Sequence, residues 1–282
     1  MKVFKAKYSG YCFGVKRALN LTEAILKENN KKGIKIYTLG SIIHNSGVTN
    51  RLAVKGLISI KDLNEIEPGS IFIIRSHGMS PKLTKKLKTR NINIVDATCP
   101  FVKKAHFKAE ELSRKKYFVV IIGSRYHPEV IGIKDHIIGK NHSVVESEKD
   151  AESLVGKKKI GVVIQTTQTI EKLRVVTDIL LNKTKELLIF NTICSTTKKR
   201  QSSTRDLAKS VDVMVVVGGK NSANTTHLKE ISEGCNTPTY HIENYREIKP
   251  QWFKNTENIG ICGGASTPEK DIKDVINAIE KI

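Results

Sequence analysis

The sequence predicts an α/β protein built from three similar domains. Short β-branched runs alternate along the chain with amphipathic segments, an order that favours largely parallel sheets. These runs lack strict apolar–polar alternation, as strands covered on both faces do. A cysteine motif that occurs three times at similar spacing sets the number of domains. With 282 residues, 39% of them apolar, the chain is long enough to bury cores of this kind.

In chain order, strands are expected at 34–39 (IKIYTL), 71–74 (IFII), 92–95 (INIV), 117–122 (YFVVII), 160–164 (IGVVI), 187–190 (LLIF), 211–217 (VDVMVVV) and 259–262 (IGIC). Helical segments are expected between and after them, at 15–28, 81–89, 102–115, 171–183, 198–208, 225–233 and 268–281. No Pro- or Gly-rich linker interrupts the series, so the domains should pack closely.

The internal repeat is centred on cysteine. Cys12-Phe-Gly-Val-Lys16-Arg17-Ala18 matches Cys99-Pro-Phe-Val-Lys103-Lys104-Ala105, and both match Cys194-Ser-Thr-Thr-Lys198-Lys199-Arg200. The second cysteine follows the first by 87 residues and the third follows by 95; the circuit through the chain ends back to Cys12 spans 100. Domains at 14–97, 98–193 and 194–282 plus 1–13 are therefore expected. Pseudo-threefold symmetry would bring the three cysteines together. The loops after other strands repeat as well: His44-Asn45 and Ser76-His77-Gly78, then His127-Pro128-Glu129 and Gln165-Thr166-Thr167, then Ser222-Ala223-Asn224 and Gly264-Ala265-Ser266. Small, hydroxylic and imidazole groups thus gather where open α/β sheets bind ligands.

Composition narrows the function. The longest apolar runs are far too short to span a bilayer. The Met1-Lys2-Val3-Phe4 start leads into polar sequence, so no secretory or transit segment is expected and the location should be cytoplasmic. Five cysteines at wide spacing argue against a disulfide framework, and there is no CxxC pair. The formal charge of +20 admits acidic partners or phosphorylated substrates. Nucleic acid is not expected, because the lysines are scattered and aromatics are few (6%).

Three thiolates at helix N-termini, beside basic pairs, are favoured as anions. Such a set suits zinc with one open position, or an iron–sulfur cluster with one iron free to act as a Lewis acid. His44, His77 and His127, with Ser222, Asn224 and Ser266, resemble an anion cage to which loop amides would add donors. Glu129 is the one acid of this set and a candidate proton source. A nucleotide P-loop is absent.

Taken together, GYCFGVKRA at 10–18, HN at 44–45, SHG at 76–78, DATCP at 96–100, HPEV at 127–130, QTT at 165–167, TICSTTKKRQ at 192–201, GGKNSAN at 218–224 and GGASTP at 263–268 closely resemble the LytB/IspH family of 4-hydroxy-3-methylbut-2-enyl diphosphate reductases. The resemblance implies a trefoil of three α/β domains around a 4Fe–4S cluster held by Cys12, Cys99 and Cys194. It implies two-electron, two-proton removal of an allylic hydroxyl, giving isopentenyl and dimethylallyl diphosphate. His44, His77, Ser222, Asn224 and Ser266 would hold the diphosphate, with His127 near it. Glu129 would deliver protons, and Thr166 would help place Glu129 and the substrate hydroxyl. The family draws electrons from ferredoxin or flavodoxin, and a monomer is expected. Two positions depart from the family pattern: Ala223 replaces a second serine, and Cys262 stands where threonine is usual. Two competing readings are a zinc-dependent phosphate-ester hydrolase with a three-Cys site and a basic nucleic-acid-binding protein with structural cysteines.

Overall fold

The computed structural model describes residues 1–282. The chain divides into two compact units, one of Met1–Lys16, Ile43–Val48 and Ser195–Ile282, the other of Arg17–Ile42 and Thr49–Cys194.

The first unit holds one four-stranded sheet of β1 (Lys2–Lys5), β10 (Val213–Val217), β11 (Thr239–Ile242) and β12 (Asn258–Gly263), in the order β1-β12-β10-β11. Every pairing is parallel, and Ile261 lies between Lys5 on one side and Val215 on the other. Helices α8 (Ser195–Ala208), α9 (Ala223–Glu233) and α10 (Glu269–Ile279) belong to this unit. Alternate residues of β10 enter different cores. Val213, Val215 and Val217 pack with Ile272, Val275 and Ile279 of α10, while Met214 and Val216 pack with Ala208 and Leu228.

The second unit holds two parallel four-stranded sheets. One is ordered β3-β2-β4-β5, from β2 (Ile36–Leu39), β3 (Leu57–Ile60), β4 (Ile71–Ile74) and β5 (Asn93–Asp96). The other is ordered β7-β6-β8-β9, from β6 (Phe118–Ile122), β7 (His142–Val145), β8 (Lys157–Ile164) and β9 (Thr184–Phe190). The remaining helices are α1 (Phe13–Asn29), α2 (Ser46–Val54), α3 (Pro81–Lys88), α4 (Pro100–Arg114), α5 (Pro128–Asp135), α6 (Glu148–Glu152) and α7 (Ile170–Leu181). Strand β6 explains the absent alternation: Val119 and Ile121 pack against Ala105, Ala109 and Leu112 of α4, whereas Val120 and Ile122 pack against Leu173, Val176 and Leu180 of α7. Both faces are dry, so every position is apolar.

The eight expected strands and seven expected helices form, with ends shifted by a few residues. Four further strands, β1, β3, β7 and β11, also form, and each lies at a sheet edge. The HPEV segment is not a plain loop but the start of α5, with His127 as N-cap and Pro128 at the first helical position, where its missing N–H costs nothing.

Candidate active site

All three repeat cysteines precede a helix directly: Cys12 before α1, Cys99 as the N-cap of α4, and Cys194 before α8. None of the three is in a disulfide; Cys12 and Cys99 are half-buried and Cys194 is buried. The same backbone bond anchors each one. The Cys12 amide donates to Ala265 O, the Cys99 amide to Ser76 O and the Cys194 amide to Thr166 O, each at 3.0 Å. The acceptors lie in the GGAS, SHG and QTT loops. Each cysteine is therefore fastened to a loop that carries, at the acceptor or one residue on, a predicted substrate contact: Ser266, His77 or Thr166. Local bonds fix the approach to two of the cysteines. Thr98 N donates to Asp96 Oδ1 (2.9 Å), and Ile164 N donates to Thr192 Oγ1 (3.0 Å).

In the second unit, Glu129 and Thr166 meet. The Thr166 amide donates to Glu129 Oε1 (2.6 Å) and its hydroxyl to Oε2 (2.9 Å). Glu129 is 2% exposed, and burial raises its pKa to about 7, with the two Thr166 bonds opposing the rise. A carboxyl poised there is about half protonated at neutral pH and can both hold and give up its proton, as a general acid must. His127 Nδ1 accepts the Glu129 amide (3.1 Å), which assigns the ring proton of a neutral imidazole to Nε2. The His77 ring meets His127 edge to face, with centroids 5.5 Å apart.

Below His77, His106 of α4 is wedged between Gly78 and Gly132. A Cβ on Gly132 would stand 2.9 Å from His106 Nε2, and Gly78, at φ +82°, has no more room. His106 stacks on His136 (4.1 Å) and is 5% exposed; burial foremost lowers its pKa to about 3, which keeps it neutral. Sequence reasoning missed this residue. The signal was a histidine on the buried stripe of α4, which also carries Val102, Ala105 and Ala109.

In the first unit, Ser222 is the N-cap of α9 and 4% exposed, yet its side chain makes no capping bond with that helix. Asn224 is equally buried, and neither of its amide atoms has a hydrogen-bond partner. A buried amide left unmatched at both ends is costly unless a ligand supplies the missing groups. Its position in the first turn of α9, at a helix N-terminus, favours an anion as that ligand. His44 stands in the turn before α2, whose first turn is capped by Asn45 Oδ1 accepting the Val48 amide (2.9 Å). The His44 carbonyl passes Gly219, where a Cβ would stand 3.0 Å away. Ser266 is half-buried in the loop after β12. Ala223 opens α9 between Ser222 and Asn224. Cys262 is a packing residue, fully buried beside Ala6, Met214 and Val216, with its thiol pushed up to about 12 by burial. Cys235 packs at the margin of the same core.

Each of the three thiols is outside any disulfide, stands at a helix N-terminus and is held by an equivalent backbone bond, and each is a soft donor of the kind that suits a thiolate-ligated metal group. Parallel α/β sheets whose strand-end loops carry thiols, a buried acid and an unmatched buried amide define an α/β enzyme class with its polar groups gathered at strand ends. The comparisons give this class its family. The family model described as LytB protein matches residues 3–280, so the chain belongs to the LytB family. It is 45% identical over 282 residues to the 4-hydroxy-3-methylbut-2-enyl diphosphate reductase of Geotalea uraniireducens (strain Rf4), covering all of this chain and 98% of that protein. Identity to the enzyme of the same name from Aquifex aeolicus (strain VF5) is 42%, over 98% of this chain and 95% of that one. Among solved structures, (E)-4-hydroxy-3-methyl-but-2-enyl diphosphate reductase, the terminal enzyme of the non-mevalonate pathway, matches at 41% identity and TM-score 0.72, covering both chains fully. The Plasmodium falciparum E-1-hydroxy-2-methyl-but-2-enyl-4-diphosphate reductase matches at 30% identity and TM-score 0.93, over 98% of this chain and 86% of that one.

Proposed function

We propose that the chain reduces 4-hydroxy-3-methylbut-2-enyl diphosphate, the last step of the non-mevalonate pathway, with its own residues placed as follows. Two electrons and two protons replace the allylic hydroxyl by hydrogen and release water; the products are isopentenyl and dimethylallyl diphosphate. Family membership over nearly the full length supports the reaction. The buried, Thr166-bound carboxyl of Glu129 is the observation that carries the mechanism.

Cys12, Cys99 and Cys194 would hold a 4Fe–4S cluster, one per chain. When bound, the cluster supplies the electrons and an open, Lewis-acidic iron. The diphosphate would take its donors from His44, His77, Ser222, Asn224 and Ser266. Binding energy from that remote group fixes the orientation of the reacting carbon. Glu129, about half protonated near pH 7, gives its carboxyl proton to the departing oxygen. The Thr166 amide keeps one carboxyl oxygen fixed, and its hydroxyl orients the other and can receive the substrate hydroxyl. His127, with its proton at Nε2, is a neutral donor beside His77. The surplus of 20 positive charges suits an acidic electron-donor protein such as ferredoxin or flavodoxin. No helix is long and apolar enough to cross a membrane, and we place the enzyme in the cytoplasm as a monomer.

The test is anaerobic purification followed by an absorption spectrum, iron and sulfide content, and turnover with a chemical reductant. The expected protein is brown with about four irons per chain, depleted in Cys99→Ser, and active on the allylic diphosphate. A colourless zinc protein that hydrolyses phosphate esters would instead support the hydrolase.

A further inference from the structure

The sequence places a basic pair, Lys198-Lys199, after the third cysteine, yet the residue that the fold buries is the next one, Arg200. Its side chain crosses from α8 to two loops. Nη2 donates to the Gly10 carbonyl (2.5 Å) and Nε to the Gly263 carbonyl (3.2 Å), and the residue is 4% exposed. Gly10 lies two residues before Cys12, and Gly263 three before Ser266. The same loops are joined by the Cys12 amide to Ala265 O, and by the Gly263 amide to Ser9 Oγ (3.3 Å).

We propose that Arg200 is a positioning residue that locks the Cys12 loop and the Ser266 loop into one register, so that a thiol ligand and a diphosphate contact move together. The proposal rests on the roles given above to Cys12 and Ser266. The physical reason is geometric. The two loops belong to opposite ends of the chain and are brought together by the pairing of β1 with β12. Backbone bonds between loops are individually weak in water. A planar guanidinium donates to two carbonyls at once in a fixed fork, and its charge strengthens both bonds. A lysine at the same place keeps the charge but gathers its donors on one compact nitrogen and lacks the planar fork that spans two separate carbonyls. A buried arginine also holds its geometry because leaving these acceptors would strand a charge away from water.

The test uses the full chain with Arg200→Lys, and two readouts that do not need turnover. One is the affinity for inorganic pyrophosphate by calorimetry. The other is the rate of alkylation of each cysteine, followed by peptide mass spectrometry in protein stripped of iron. Arg200→Lys is expected to weaken pyrophosphate about tenfold and to speed alkylation of Cys12 about fivefold, as loss of one charge-assisted bond allows. Alkylation of Cys99 and Cys194 should stay at the parent rate. General loosening of the fold would raise all three rates together, and that result overturns the proposal. So does a variant within twofold of the parent on both readouts, or one in which a single readout moves. If Arg200→Lys does not unfold cooperatively, Ser9→Ala decides by the same readouts, with about threefold effects expected for a neutral bond. A parent chain that fails to bind pyrophosphate overturns the diphosphate reading instead; the Cys12 rate alone then decides the role of Arg200.

Discussion

At the residue scale the proposed chemistry turns on a carboxyl that burial pushes toward neutrality. Thr166 supplies two bonds that favour the charged form of Glu129, yet burial outweighs them. In the proposed reaction the protonated form is the working form, so kcat should fall as pH rises through about 7, the folded-state pKa. Glu129→Gln keeps the shape and the Thr166 contacts; kcat should drop about 10²- to 10⁴-fold while substrate binding persists. Near-normal turnover in that variant would remove Glu129 from the proton path. Thr166→Val deletes one of the bonds that lower the pKa, so the alkaline limb of the kcat profile should move to higher pH. A limb that stays in place would mean that another group titrates there. Glu129 and Thr166 were both visible in the sequence as members of repeated loops. His106 and Arg200 were not, because a buried wedge and a buried tether look like ordinary members of amphipathic helices until their partners are known.

Helix α5 shows how an element is shaped by what it packs against. Its Gly132 sits mid-helix, where alanine is normally better by about 1 kcal/mol. Here a methyl group would press on His106 Nε2, and overpacking of a dry site costs about 1–3 kcal/mol. Gly132→Ala should therefore destabilise the protein in chemical denaturation, against the helix propensity. In a His106→Ala background the same substitution should become neutral or stabilising. A destabilisation equal in both backgrounds would refute the wedge. The strands divide by a similar logic. The inner strands β6 and β10 are apolar throughout, and β8 is apolar from Ile160 onward, so all three are legible. The missed β1 (KVFK), β3 (LISI), β7 (HSVV) and β11 (TYHI) sit at edges, with partly exposed and polar side chains. Only the neighbouring strand makes such segments extended, and four residues carry too little pattern to announce it.

For the whole molecule, two buried groups pull stability in opposite directions with pH. Glu129 titrates higher in the folded state than its ordinary 4.5, so its burial destabilises the protein as pH rises from 4.5 through about 7. His106 titrates lower than its ordinary 6.5, so it destabilises the protein as pH falls from 6.5 toward about 3. Between about 4.5 and 6.5 each contributes a slope near 1.4 kcal/mol per pH unit, of opposite sign, and they cancel. Relative to the parent, Glu129→Gln should steepen the loss of stability as pH falls below 6.5; a variant whose pH profile runs parallel to the parent's there would contradict the assignment.

The pairing of β1 with β12 carries a consequence for biosynthesis. Lys2 lies opposite Asn258, so the first strand made must wait for nearly the last. At about 5–20 residues per second the wait is roughly 10–50 seconds, during which the segment bearing Cys12 leaves the ribosome with no sheet to join. The residues of the second unit can meanwhile emerge in full. A nascent chain halted before residue 258 would hold Cys99 and Cys194 in their folded surroundings while Cys12 stayed open to solvent. If these cysteines hold the proposed cluster, its assembly would follow chain termination.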